Sequence, residues 1–153
     1  MEPAVSAATI VTVLVVLVLP ACLAGGWWLG GCAELAHVTM AGETITIVPR
    51  GVLRWLSFRR QLVLDLAQVT AASVVEGAGV AAGGLRSPGL AVPGLRAGTY
   101  RCPEATSYWL VGRAPRLVRL DLSGGSLNYV LLQVRDPDGL VARLGAPAAL
   151  HPA

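Results

Sequence analysis

The chain has 153 residues, of which 54% are hydrophobic and only 14% charged, and its mean hydropathy of +0.63 is too apolar for an ordinary soluble domain. Its 18 glycines and 10 prolines fall short of a low-complexity disordered composition, and nothing recurs at a solenoid period, so disorder and repeat arrays are excluded. All 12 basic residues are arginine, and the absence of lysine excludes a P-loop, a Schiff-base enzyme and a Ser-x-x-Lys acyl enzyme.

From Pro3 to Ala33 there is no charged residue, and Ile10 to Leu19 is almost wholly branched aliphatic. A bilayer core of about 30 Å takes about 20 helical residues. Residues 1–33 therefore read as a membrane anchor with one transmembrane helix at about residues 4–23. Pro20 lies inside this span, where lipid-embedded helices tolerate it, and Trp27 and Trp28 follow at the headgroup level. The anchor reads as uncleaved. Glu2 stands where a signal peptide carries a basic residue, and Leu19-Pro20-Ala21-Cys22 has proline where a lipobox has a small or aliphatic residue. The amino-terminal flank has no basic residue, whereas Arg50, Arg54, Arg59 and Arg60 follow the helix. The positive-inside rule then places the carboxy-terminal part in the cytoplasm, at the cell membrane. Cys102 is the one cysteine beyond the anchor and has no internal disulfide partner there.

Residues 34–42 read as a linker and 43–144 as a domain of strands. Glu43-Thr-Ile-Thr-Ile-Val48 alternates polar and apolar, Pro49-Arg-Gly51 punctuates it, and Val52 to Leu56 is predicted to resume an extended strand. Leu62, Leu64 and Leu66 share one strand face, and residues 69–76 continue as a β-branched run. Residues 77–98 hold a glycine-rich, proline-containing stretch that predicts a long loop with one short irregular strand. Residues 99–102 and 107–111 are short strands. Leu117 to Leu122 has the clearest alternation, with Val118, Leu120 and Leu122 inward. Ser123-Gly-Gly-Ser126 then predicts a hairpin into a return strand at residues 127–134. Asp136-Pro137-Asp138 supplies an N-cap, a first-turn proline and a first-turn carboxylate, opening a helix with Leu140, Val141 and Leu144 on one face. Residues 145–153 read as a flexible tail.

This order of elements, together with the loop from Gly84 to Tyr100 and the ending from Tyr129 to Leu144, resembles the bacterial pleckstrin-homology-like domains found beside transmembrane helices. The resemblance covers residues 43–144. It implies a mainly β fold, a bent antiparallel sheet or partly open barrel of about seven strands, capped by a carboxy-terminal helix and here preceded by one transmembrane α-helix. It implies no reaction and transfers no catalytic residue. The eukaryotic namesakes bind phosphoinositides through a basic loop between the first two strands. Here the nearest equivalent is the region of Arg50 and Arg54, which lacks lysine and a dense cluster.

The chemistry-bearing residues are sparse. Two histidines, His37 and His151, and three scattered cysteines without a Cys-x-x-Cys do not make a zinc site. Gly77-Ala-Gly-Val-Ala-Ala82 matches a dinucleotide fingerprint, but Gly83, Gly84 and Pro88 break the helix it requires. No serine sits in a nucleophile elbow, and Asp136 and Asp138 are explained by helix capping. No catalytic residue, cofactor or metal is expected. Of the nine acidic residues, Glu2 and Glu34 precede the domain, which leaves 7 against 12 arginines. That excess reads first as a solvated basic face and second as a surface for anionic lipid. Arg50, Arg54, Arg59 and Arg60 are the candidate lipid or partner contacts. The expected partners are the lipid bilayer and another membrane or cytoplasmic protein. Nucleic acid is not expected, since no basic stripe interleaved with aromatics occurs. The leading reading is thus a membrane-anchored binding or scaffolding module. The alternative is an exported lipoprotein or signal-anchored extracytoplasmic ligand-binding domain, and a third option is helix self-association through Gly25, Gly26, Gly30 and Gly31.

Overall fold

The computed structural model of the protein describes residues 6–57, 59–77 and 85–145. It is mainly β, with two open sheets of three and six strands, a carboxy-terminal helix and one apolar amino-terminal helix.

Helix α1 (Ala7–Gly30) carries its branched aliphatic side chains outward, with Val16 61% and Leu17 65% exposed. It is long and apolar enough to cross a membrane. Pro20 lies within it. The helix runs past the expected end at residue 23, through Trp27 and Trp28, to Gly30. Glycine disfavours helix, but here the last turn is held from outside by the sheets, as described below.

Strands β1 (Ala36–Ala41), β2 (Thr44–Pro49) and β3 (Leu62–Asp65) form the smaller sheet in that order, all antiparallel. The linker expected at residues 34–42 is therefore corrected: β1 pairs residue by residue with β2 across the turn at Gly42. The strand expected from Val52 is corrected too. It is the short helix α2 (Leu53–Leu56), because Leu53 and Ser57, one helical turn apart, are the buried positions. Leu62 and Leu64 point inward as expected, and the chain then turns through a single 3-10 turn at Leu66–Gln68.

The larger sheet runs β4-β8-β9-β7-β6-β5, made from β4 (Val69–Glu76), β5 (Leu85–Val92), β6 (Leu95–Arg101), β7 (Thr106–Val111), β8 (Arg116–Leu122) and β9 (Tyr129–Leu132). The loop expected over residues 77–98 is largely the hairpin β5–β6, with residues 78–84 outside the described residues. Its proline is accommodated because β5 is an edge strand and Ser87 and Pro88 fall in a register shift between Arg86 and Gly89. Strand β9 enters between β7 and β8, so it is antiparallel to β8 and parallel to β7. Among the described residues there are nine strands rather than about seven, and this one pair is parallel.

The two sheets close on one core of buried residues, including Ile45, Ile47, Leu64, Leu95, Tyr108, Leu110, Leu120 and Leu132. A second, smaller cluster of Tyr100, Trp109, Val111, Leu117 and Leu131 lies on the other face of the larger sheet. Leu117 thus works opposite to its neighbours Val118 and Leu120, as strand alternation requires.

Helix α3 (Pro137–Gly145) packs on β4 and β8 and buries Leu140 and Leu144 in the main core. Asp136 is its cap: Oδ1 accepts the Gly139 N–H at 2.9 Å. Arg116 of β8 grips Asp138 through two hydrogen bonds of 2.6 and 2.7 Å. Those bonds hold the Asp138 carboxyl below its ordinary value of 3.8. A carboxyl lowered by folding contributes stability above its unfolded value and loses it as the pH falls through the folded value. The clasp should therefore open in acid, with a small effect because both side chains are more than half exposed. A carboxyl NMR titration should show the Asp138 midpoint rising towards 3.8 in Arg116→Gln; an unchanged midpoint would deny the clasp. Of the tail expected at residues 145–153, Gly145 instead ends α3, and residues 146–153 lie outside the described residues.

Candidate functional site

Strand register divides the loops between two ends of the β-domain. One end gathers residues 50–60, 93–94, 112–115 and 133–135, and the other gathers 42–43, 102–105 and 123–128. Helix α1 arrives at the first, and its last turn is clasped there.

The approach is close because glycine lines both sides. A Cβ on Gly26 would strike the Val92 side chain, and one on Gly30 would fall inside the Gly94 carbonyl. Gly112 is equally constrained, since its Cβ would meet the Gly30 carbonyl and the Gln133 side chain. Gly94 turns the β5–β6 hairpin at φ 82°, a conformation natural to glycine. Gly26 and Gly30 lie four apart on one helix face, and this face is covered by the protein's own hairpin.

Hydrogen bonds fix the join. The Arg113 N–H donates to the Gly30 carbonyl at 2.8 Å, satisfying a group that a helix terminus leaves open. Gln133, 1% exposed, spans the gap. Its Oε1 accepts the N–H groups of Gly112 at 2.7 Å and Ala114 at 3.3 Å, while Nε2 donates to the Cys32 carbonyl. Its backbone carbonyl accepts the N–H groups of Leu35 and Ala36 at 3.0 and 3.3 Å. One glutamine therefore ties the segment after α1 to β9 and to the β7–β8 connection. The Arg113 guanidinium lies 3.8 Å from the centre of the Trp27 ring, a cation–π contact across the same seam.

The arginines singled out from the sequence come together at this end. Arg50, at the end of β2, donates to Glu34 at 2.9 Å, and His37 stands 3.5 Å from the same carboxylate. Arg54 is exposed on α2, and Arg59 and Arg60 follow it, also exposed. Arg60 rests 4.8 Å from the centre of the Trp55 ring, and Trp55 is itself 66% exposed. Arg50 is thus an internal brace, whereas Arg54, Arg59 and Arg60 face outward. Beneath them the Ser57 hydroxyl donates to the Arg59 carbonyl at 3.0 Å. Burial pushes the Tyr108 phenol upward, opposed by the Ser57 hydroxyl and the charge of Arg59.

A cleft of about 400 Å³ opens between the end of α1 and α2, lined by Leu29, Leu35, Leu53, Glu34, Arg50 and Arg135 among others. Among the described residues no group of three or more His, Cys, Asp or Glu could hold a metal ion. Sequence reasoning missed Gln133, Arg113 and the glycine seam. Gln133 directly follows the apolar strand β9 with only its polarity to mark it, and its partners lie 19 to 101 residues away. Comparison of the chain with protein-family models, with curated proteins and with solved structures finds no match.

Proposed function

We propose that this chain is a single-pass membrane protein whose β-domain, of pleckstrin-homology-like type, is held at the cytoplasmic face of the cell membrane as a binding or scaffolding module without catalysis. The observation that carries the reading is the join itself. An apolar 24-residue helix passes into the sheets through Gly30, Gly112 and Gln133 with no free linker, so whatever α1 is fixed in also fixes the domain. The bilayer is the first partner, and a membrane or cytoplasmic protein the second. The two-sheet arrangement and terminal helix speak for the pleckstrin-homology-like kinship, and the parallel pair β7–β9 speaks against it. The amino-terminal flank, which has no basic residue, set against arginines that all follow the helix, supports the orientation.

Membranes from cells expressing the full chain test this. The protein should stay in the pellet after alkaline carbonate washing, with an intact mass that includes the amino-terminal segment. Protease should digest the domain in inside-out vesicles and spare it in right-side-out ones. A protein released by the wash contradicts the anchor, a mass beginning at Cys22 supports the lipoprotein alternative, and the reverse protease pattern contradicts the orientation.

A further inference from the structure

We infer that Val52, Arg54, Trp55, Arg59 and Arg60 form a second membrane contact, a small interfacial patch that lies in the anionic headgroup layer beside the exit of α1. The inference rests on α1 crossing the bilayer. Three observations carry it.

The first is position. Leu53, 1% exposed, packs inward and shares a cleft with Leu29 and Leu35. At 1.5 Å per residue, Leu29 lies within about 3 Å along the axis of Trp27 and Trp28, the aromatic pair at the end of the apolar helix. The start of α2 therefore stands at the depth where aromatic side chains meet headgroups.

The second is facing. Leu53 and Ser57 turn into the core, which turns their neighbours out: Val52 is 47% and Trp55 66% exposed. Trp28, on the last turn of α1, is 73% exposed. Large apolar groups presented in this way at one end of a domain mark a contact surface. Tryptophan with a guanidinium stacked on it suits an interface, apolar on one side and charged on the other.

The third is charge. None of the four ion pairs among the described residues involves Arg54, Arg59 or Arg60. Of the carboxylates at this end, Glu34 pairs with Arg50, Asp136 caps α3 and Asp138 pairs with Arg116, while Glu76 stands across from Arg116 in the β4–β8 register. Glu43, Asp65, Glu104 and Asp121 belong to the opposite end by strand register. The domain is therefore polarised along the direction of α1, with unpaired positive charge at the end nearest the helix exit. Anionic phospholipid complements it, each arginine near such a surface shifting the docked population by about fivefold. The clasped last turn of α1 keeps the patch turned towards the leaflet.

Spin labels on the full chain in phosphatidylcholine vesicles, with and without phosphatidylglycerol, test the patch. Cys22, Cys32 and Cys102 are replaced by serine, and one label is introduced at a time, as Leu17→Cys in α1, Val52→Cys in the patch or Glu104→Cys at the far end. Collision with oxygen reports lipid, and collision with a water-soluble nickel complex reports water. The expected result is a lipid signal at residue 17, a water signal at residue 104, and an interfacial signal at residue 52 that deepens with phosphatidylglycerol. Arg54→Gln, Arg59→Gln and Arg60→Gln together should abolish that deepening and leave residue 17 unchanged. Lipid at residue 17 with residue 52 as aqueous as residue 104 overturns the patch while leaving the anchor standing. A residue 52 signal shielded from both reagents assigns the patch to a protein partner and overturns it as well. A deepening that ignores phosphatidylglycerol overturns the part given to the arginines, and water at residue 17 overturns the anchor itself.

Discussion

Gln133→Met should destabilise the domain by about 3 kcal/mol, although the side chain keeps nearly the same length and volume. Methionine fills the space but accepts and donates nothing useful there, so the N–H groups of Gly112 and Ala114 and the carbonyl of Cys32 lose their shared partner. A partly buried polar group stripped of its bond costs about 1–3 kcal/mol, and the three lie around a residue that is 1% exposed. For a domain of roughly 100 residues this corresponds to a fall in Tm of about 10–20 °C, measurable by thermal melting of the full chain in detergent. Gln133→Glu is the informative companion. It keeps an acceptor for Gly112 but sets a carboxylate oxygen against the Cys32 carbonyl, so it should be no better than methionine. If Gln133→Met melts with the wild type, the glutamine is filling space and the join is not held by its hydrogen bonds.

Gly112→Ala should separate α1 from the sheets while leaving the sheets folded. A methyl group there falls on the Gly30 carbonyl and the Gln133 side chain, and neither can give way easily. One is helix backbone, and the other is pinned by three hydrogen bonds. Forcing a methyl group into packed space costs about 1–3 kcal/mol, and the cheapest relief is to lift the last turn of α1 away, breaking the Arg113 to Gly30 bond and the Arg113 to Trp27 contact. Proteinase K should then cut between Gly31 and Leu35 at least several-fold faster than in the wild type, with little change in the melting of the β-domain. Equal cutting rates would show that the glycine seam does not restrain the helix.

The parts of the fold that could be read from the sequence are those set by local pattern. The run from Ile10 to Leu19 declares the apolar helix, the alternation from Leu117 to Leu122 gives β8, and Asp136-Pro137-Asp138 opens α3 with Asp136 as cap. The misreadings share a physical cause, since each segment is decided by a distant partner. Strand β1 looked like a linker because its side chains are unremarkable, and pairing with β2 makes it a strand. Val52 to Leu56 has strand-like composition, but helix α2 satisfies the burial of Leu53 and Ser57 at once. Glycine and proline between residues 85 and 98 argued against strands, yet an edge position with a register shift accommodates them. At the junction, Gly26 and Gly30 were legible as a small-residue face, but what they pack against was not. Arg54, Arg59 and Arg60 were legible as a basic group, and their nearness to the helix exit comes from the fold alone.

A pulsed electron paramagnetic resonance distance between labels at Leu23→Cys in α1 and Glu104→Cys at the far end of the β-domain tests the central point most directly. The full chain, its native cysteines replaced by serine, is measured in lipid nanodiscs. A helix clasped through Gly30, Gly112 and Gln133 predicts one narrow distance distribution, which broadens when Gly112→Ala is added. A broad distribution in the unaltered junction would mean that the domain swings freely from its helix, and would contradict the rigid join.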